Sequence, residues 1–344
     1  MISFRNDYSE GACPEILEAM VKSNEVQHVG YGEDECCEAA KKAIKKVLQY
    51  DACDIHFLVG GTQANLTVIS SILRPYEAVI AVDSGHINVH ETGSIEATGH
   101  KVVIAEGKDG LLTVEGIRKA VEQHEDEHMV KPAMIYISNA TEIGTIYHKK
   151  ELQALREVCD ELGLYLFMDG ARLGAALSAE DNDVEFDDLC KYCDVFYIGG
   201  TKNGALFGEA VVIVHDELKK NFRYMIKQRG GMLAKGWLLG TQFQVLFEQG
   251  LYLSSALHAN RLAQKMQKAM LDLKIPMFIQ TTTNQIFPIL KQNIIEKLQT
   301  SYAFQVWEKL DDATTAMRFV TSWATKEEDV DAFIEDLRML MREE

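Results

Sequence analysis

Two side chains in this sequence stand where an amine nucleophile and a fixed anion could work together. In Leu164-Tyr-Leu-Phe-Met-Asp169-Gly-Ala-Arg172 an apolar run ends in a carboxylate, then glycine, alanine and arginine. In Asp194-Val-Phe-Tyr-Ile-Gly-Gly-Thr-Lys202-Asn-Gly a second apolar run ends in Thr-Lys between glycines. Ligands of open α/β sheets lie outside the carboxyl ends of the strands, so both side chains point towards one crevice. A lysine there can form a Schiff base, and an aspartate can keep a pyridinium nitrogen protonated. Those are the two groups that pyridoxal 5′-phosphate (PLP) asks of a protein. On these residues alone the plainer alternative, a solvated lysine in a glycine turn and a helix-capping aspartate, stays open.

Two further segments add to the pair. Phe57-Leu-Val-Gly60-Gly61-Thr62-Gln63-Ala64-Asn65 passes from a strand through a glycine turn into a helical pattern. Unpaired N–H groups at a helix start suit a phosphate, and glycines let the backbone come close to it. The spacing is neither G-x-G-x-x-G nor a P-loop, which argues against a dehydrogenase. Asp83-Ser-Gly-His86-Ile-Asn-Val-His90-Glu91 follows another apolar run. His86 can stack on a pyridine ring or shuttle protons near neutral pH. His86 and His90 could instead share a metal from one helix face, but no third ligand is evident and Glu91 adjoins the second histidine. No metal is expected.

The elements that must hold these residues read as an α/β fold. Buried strands are expected at 55–59, 78–82, 102–105, 133–138, 164–168 and 195–198, short and bounded by Gly, Asp or Pro. Amphipathic helices are expected at 34–49, 113–123 and 149–162, the last closed by Gly163. Residues 210–214 read as a strand returning antiparallel after the Lys202 run. From about residue 251 the texture becomes α+β, with a long helix to 274, short strands at 277–280, 285–290 and 317–322, and a helix at 326–341. The organisation expected is a large domain over 1–250 with a mostly parallel sheet, and a smaller α+β domain over 251–344 to which the N-terminal segment contributes.

Charge narrows the partners. The formal net charge of −17 makes nucleic acid and anionic membranes unexpected. No apolar run is long enough to span a bilayer, and the first residues lack a signal-peptide pattern. Seven scattered cysteines fit reduced thiols in a cytoplasm better than a disulfide framework. Cys190-Lys-Tyr-Cys193 is a single pair ahead of a buried strand and is not read as a zinc or redox site. The acidic runs 122–128 and 180–188 read as solvated loops.

Taken together, Asp83-Ser-Gly-His86, Met168-Asp169-Gly-Ala-Arg172-Leu and the Lys202 segment resemble the low-specificity L-threonine aldolase family, in the β-eliminating-lyase group of fold-type-I PLP enzymes. Phe4-Arg-Asn-Asp, Tyr31-Gly-Glu-Asp, Gly230-Gly-Met232 and Met317-Arg318-Phe-Val-Thr extend the resemblance along the chain in order. The resemblance implies an aspartate-aminotransferase-like fold, with Lys202 as the Schiff-base lysine, Asp169 as the pyridinium partner and His86 over the ring. It places Gly61 and Thr62 on the phosphate turn, Arg172 beside the cofactor, and Arg172, Arg318 and Asn6 on the substrate carboxylate. Tyr31, Lys227 and Arg229 fall in segments that reach a neighbouring subunit's site, in a dimer or tetramer.

The reaction implied is PLP-dependent aldol cleavage of L-threonine, L-allo-threonine or a related β-hydroxy amino acid to glycine and an aldehyde. Elimination from another amino acid is the alternative. One loop departs from the family. Ser138-Asn139-Ala140-Thr141-Glu142 lacks the histidine commonly found there near the substrate's β-hydroxyl. Thr141 or Glu142 takes its neighbourhood, and the base stays open between His86, Glu142 and a water molecule.

Overall fold

In the computed structural model, which describes residues 1–342, seven strands form a central sheet. They are β1 (Asp54–Leu58), β2 (Glu77–Val82), β3 (Val102–Ala105), β4 (Lys131–Ser138), β5 (Tyr165–Asp169), β6 (Val195–Gly199) and β7 (Glu209–Ile213). Across the sheet the order is β1-β7-β6-β5-β4-β2-β3. Strands β2 to β6 run parallel, and β7 is antiparallel to both β6 and β1. Successive side chains face opposite cores: Leu166 and Met168 enter one, Phe167 the other. Burial on both faces is why such strands read as unbroken apolar runs. The expectation of a buried strand at 55–59 needs correcting, because β1 is an edge strand and His56 and Phe57 are only half-buried.

This topology decides where chemistry can happen. The parallel strands end along one rim, so Ser138, Asp169 and the Lys202 turn are delivered there, with His86 just beyond β2. The reversed strand β7 starts at the same rim and sets Glu209 opposite Gly199.

Helices flank the sheet. The helix Glu35–Leu48 begins where Asp34 Oδ1 accepts from Cys37 N at 2.8 Å, and Lys149–Leu162 ends at Gly163 in the left-handed region, φ 66°. The helix Trp237–Glu248, absent from the sequence reading, is buried from Leu239 to Phe243 and again at Val245 and Leu246. A helix buried on most of its surface, with Thr241 and Gln242 among the buried residues, shows no clean apolar stripe. The run 180–188 is only partly a loop: a helix starts at Phe186, and buried Asp188 pairs with Lys149 at 2.8 Å.

After the long helix Leu251–Asp272 comes a second sheet of β8 (Met277–Ile279), β9 (Gln285–Lys291), β10 (Gln305–Lys309) and β11 (Thr314–Val320), ordered β8-β9-β11-β10. Phe4 packs on Tyr302, Phe319 and Phe333 in the core beside this sheet, which ties the first residues to the C-terminal part. All seven cysteines are free, and no helix among the described residues is long and apolar enough to cross a membrane.

His56 offers a test of this packing. It lies 5.1 Å from the Phe222 ring with Nε2 sealed from solvent and unpartnered, and burial pushes its pKa down to about 3. The unfolded chain therefore binds the extra proton first, and stability present above the ordinary histidine pKa is lost as pH falls towards the folded value. Urea unfolding should show about 2 kcal/mol of this loss between pH 7 and pH 5, absent in His56→Phe.

Candidate active site

Asp169 closes β5 and is 4% exposed. Tyr136, two residues before the Ser138 that faces Asp169 in register, shares its side of the sheet and donates to Oδ2 at 2.5 Å. Asn65 Nδ2 donates to the same oxygen at 3.1 Å, and Ala171 N to Oδ1 at 2.9 Å. Burial would raise this carboxyl, but the His86 charge and the Tyr136 hydroxyl outweigh it and hold it below the usual range. Asp169 is an anion at neutral pH.

His86 begins the short helix His86–Val89. Its Nδ1 meets Glu91 Oε1 at 2.7 Å, and buried Glu91 also accepts from Asn65 Nδ2 and Ser94 Oγ, each at 2.7 Å. Burial works against the imidazolium, yet Glu91 and Asp169 raise the His86 pKa above its ordinary value. The sequence reading set Glu91 beside His90. The helix ends at Val89, and the turn that follows hands the carboxylate to His86 instead.

Lys202 is half-buried beyond β6, and burial together with the Arg172 charge lowers its pKa. Beside it, Thr201 Oγ1 donates to Glu209 Oε1 at 2.9 Å while accepting from Gly208 N at 3.0 Å.

The two arginines are held differently. Arg172 grips Asp7 with Nε at 2.8 Å and Nη2 at 3.0 Å, and Asn284 Nδ2 supports Asp7 at 2.9 Å. Arg318 on β11 faces Gln305 on β10, donates to its Oε1 at 2.5 Å and stands 6.0 Å from the centre of the Trp307 ring. Its Nε is sealed and unpartnered. Asn6 spends Oδ1 on Tyr8 N (3.1 Å) and Ser9 Oγ (2.8 Å), which leaves Nδ2 for a carboxylate.

A cleft of about 800 Å³ brings together His86, Glu142, Arg172, Lys202 and Arg318, with Tyr8, His90 and Trp307 on its walls. Glu142 Oε1 accepts from Ser138 Oγ at 2.8 Å and His86 N at 3.1 Å, while Oε2 is sealed without a partner. Burial raises its pKa. Thr141 is buried, bonded to the Thr145 hydroxyl at 2.6 Å, and does not line the cleft. Gly61 and Thr62 open the helix Gly61–Ile72, whose start has no side-chain cap; a Cβ on Gly61 would come within 2.9 Å of the Tyr197 hydroxyl oxygen. Tyr31 and Lys227 meet each other at 4.8 Å, and the Arg229 carbonyl accepts from Gln63 Nε2 at 3.4 Å, but none of the three lines this chain's cleft.

The family described as Beta-eliminating lyase matches residues 3–293. The chain belongs to the beta-eliminating lyase family. This lyase is 32% identical over 342 residues to the low specificity L-threonine aldolase of Pseudomonas sp. (strain NCIMB 10558), covering 98% of this chain and 97% of that protein. The corresponding Pseudomonas aeruginosa protein is 30% identical, with 98% and 97% covered. The solved structure of Leishmania major threonine aldolase matches with a TM-score of 0.98 and 47% identity, over 99% of this chain and 100% of that one. A variant of Thermus thermophilus aspartate aminotransferase, 14% identical with a TM-score of 0.72 over 98% and 91% of the two chains, shares the fold-type-I architecture of the lyase.

Five residues of the site were given no role by the sequence reading: Asp7, Asn65, Tyr136, Glu209 and Gln305. Only Glu209 carried a signal, as a charge at the edge of an apolar stretch. Tyr136→Phe in this lyase removes a donor from a buried carboxylate without a change of shape. Urea denaturation should report a loss of about 1.5–3 kcal/mol.

Proposed function

We propose that this lyase uses PLP to cleave L-threonine, L-allo-threonine or a related β-hydroxy amino acid into glycine and an aldehyde. The observation that carries this reading is the convergence of Lys202, His86, Glu142, Arg172 and Arg318 on one cleft. Ionised Asp169 joins them through Asn65 and Glu91.

The residues present fit the cofactor. A lysine amine brought towards neutrality by burial suits a Schiff base, and a buried anion suits a pyridinium nitrogen. Gly61 and Thr62, at an uncapped helix start, offer N–H groups to a phosphate. When bound, PLP supplies an electron-withdrawing ring that accepts the electron pair released at the substrate Cα.

The chain's own groups do the rest. Arg318, steadied by Gln305, and the Nη1 edge of Arg172, steadied by Asp7, bind the substrate carboxylate, with Asn6 Nδ2 as a further donor. His86, oriented by Glu91, would cover the ring. Glu142, on the wall of the cleft, takes the proton from the β-hydroxyl, and its raised pKa suits both taking and returning that proton. Among the candidates for this base, Glu142 is favoured over His86 because Glu91 and Asp169 favour the protonated form of the imidazole, which has no lone pair to offer.

A homo-oligomer, dimer or tetramer, is part of the same reading. Val21 and Tyr224 are 76% and 77% exposed, and Tyr31, Lys227 and Arg229 lie outside their own cleft, free to serve a neighbour's. Seven unpaired thiols suit the cytoplasm.

The deciding assay is release of glycine and acetaldehyde from L-threonine and L-allo-threonine by PLP-loaded protein. Lys202→Ala should abolish it, Glu142→Gln should cut kcat by about 10²–10⁴-fold, and Arg318→Ala should act mainly on KM. Pyruvate and ammonia in place of glycine would replace this reading with elimination.

A further inference from the structure

The cleft carries more positive charge than one substrate carboxylate answers. The charged side chains on its wall are Arg5, His86, Glu142, Arg172, Lys202 and Arg318. Five of these six are cationic groups, in a chain whose net charge is −17, so the excess belongs to the cleft and not to the protein at large. Three of the five are already matched or engaged. Arg172 is paired with Asp7 at 2.8 Å and His86 with Glu91 at 2.7 Å, and Lys202 is committed to the cofactor in the reading above. Glu142 spends Oε1 on Ser138 and on the His86 backbone. Arg318 and Arg5 are left, and neither forms an ion pair among the described residues.

Arg5 owes its place to the residue before it. Phe4 N donates to the Ala303 carbonyl at 2.7 Å, and the Phe4 carbonyl accepts from Val320 N at 2.9 Å, with the ring sealed in the C-terminal core. Successive side chains of an extended segment point to opposite sides, so Arg5 is turned away from that core and onto the cleft wall, with Tyr8. The Arg5 guanidinium and the Tyr8 hydroxyl have no hydrogen-bond partner among the described residues. Two free donors of this kind, one of them charged, match a carboxylate: the guanidinium fork fits its two oxygens and cancels its single charge. A phosphate would set nearly two negative charges against one arginine.

We propose that this lyase takes β-hydroxy aminodicarboxylic acids, of which β-hydroxyaspartate is the smallest, with Arg318 and Arg172 on the α-carboxylate and Arg5 and Tyr8 on the distal one. This rests on the reading of the cleft as a site of aldol cleavage. In β-hydroxyaspartate the Cα–Cβ bond breaks, and its electron pair stays with Cα, which takes up a proton. The β-hydroxyl gives up its proton as its oxygen becomes a carbonyl. The products, glycine and glyoxylate, together hold every atom of the substrate. Because Arg5 is exposed, a substrate without the second carboxylate leaves the guanidinium in water, and threonine is still admitted.

The test compares L-β-hydroxyaspartate with L-β-hydroxyasparagine, which has the same shape without the distal charge. PLP-loaded wild type should favour the acid by about tenfold in kcat/KM, read as glycine release. Arg5→Gln should remove that preference, and Arg5→Lys should keep part of it. A preference that survives in Arg5→Gln overturns the proposal. So does an equal loss on both substrates, which would assign Arg5 to the α-carboxylate they share.

Binding separates this proposal from the functional reading. By calorimetry, PLP-loaded protein should hold L-aspartate about tenfold more tightly than L-asparagine, whichever substrates it cleaves. Equal affinities overturn the distal subsite even where threonine is cleaved. Tighter binding of aspartate with no glycine released from any substrate would sink the aldolase reading and leave the subsite standing.

Discussion

A carboxylate buried at the end of a strand is tolerable only when its lone pairs are filled and a positive charge is near. Asp169 meets both conditions with donors from three separate elements: Tyr136 on β4, Asn65 on the helix Gly61–Ile72, and the backbone turn at Ala171. Much of the rim follows from that requirement. Asn65 also bonds Glu91, and Glu91 in turn holds His86, so satisfying one anion locks the glycine turn, His86 and the sheet into one geometry. The field of His86 is part of what keeps Asp169 ionised, and the field of Asp169 helps keep His86 charged. Neither state is independent of the other.

The C-terminal sheet joins this arrangement through several buried polar contacts: Gln285 to the Thr141 carbonyl, Thr283 to the Gly144 carbonyl, and a charged junction at Asp7. Asp7, fixed by its neighbour Phe4 in the C-terminal core, bonds Arg172 from the central sheet and Asn284 from the segment before β9. Arg172 is thus oriented by a residue 165 positions away in sequence. Breaking a buried pair of this kind leaves a charge uncompensated, which makes the junction a point of rigidity between two buried clusters.

What could be read from the sequence was whatever is written locally. The strands at 133–138, 164–168 and 195–198, the helix ending at Gly163, and the Asp169 and Lys202 strand ends each announce themselves within a dozen residues. The partners did not, because each meets its target only after folding: Asn65 reaches Asp169 across 104 residues and Glu142 reaches His86 across 56. Trp237–Glu248 was hidden by burying polar Thr241 and Gln242 along with its apolar residues, and β10 by being a short, half-polar edge strand. The edge position of β1 was equally invisible, since an apolar strand does not record how many neighbours it has.

The position of β10 has a consequence for how the cleft can change. Gln305 and Trp307 form its wall on the outermost strand of the second sheet, paired on one side only, while the residues between and beyond them, Val306 and Glu308, face solvent. A substitution there breaks strand pairing on one side only, and it is felt chiefly by Arg318 and Phe287, on which Gln305 and Trp307 rest. The wall is therefore the part of the molecule where a lineage, or a designer, can reshape what the cleft admits while the machinery at the rim of the central sheet stays untouched.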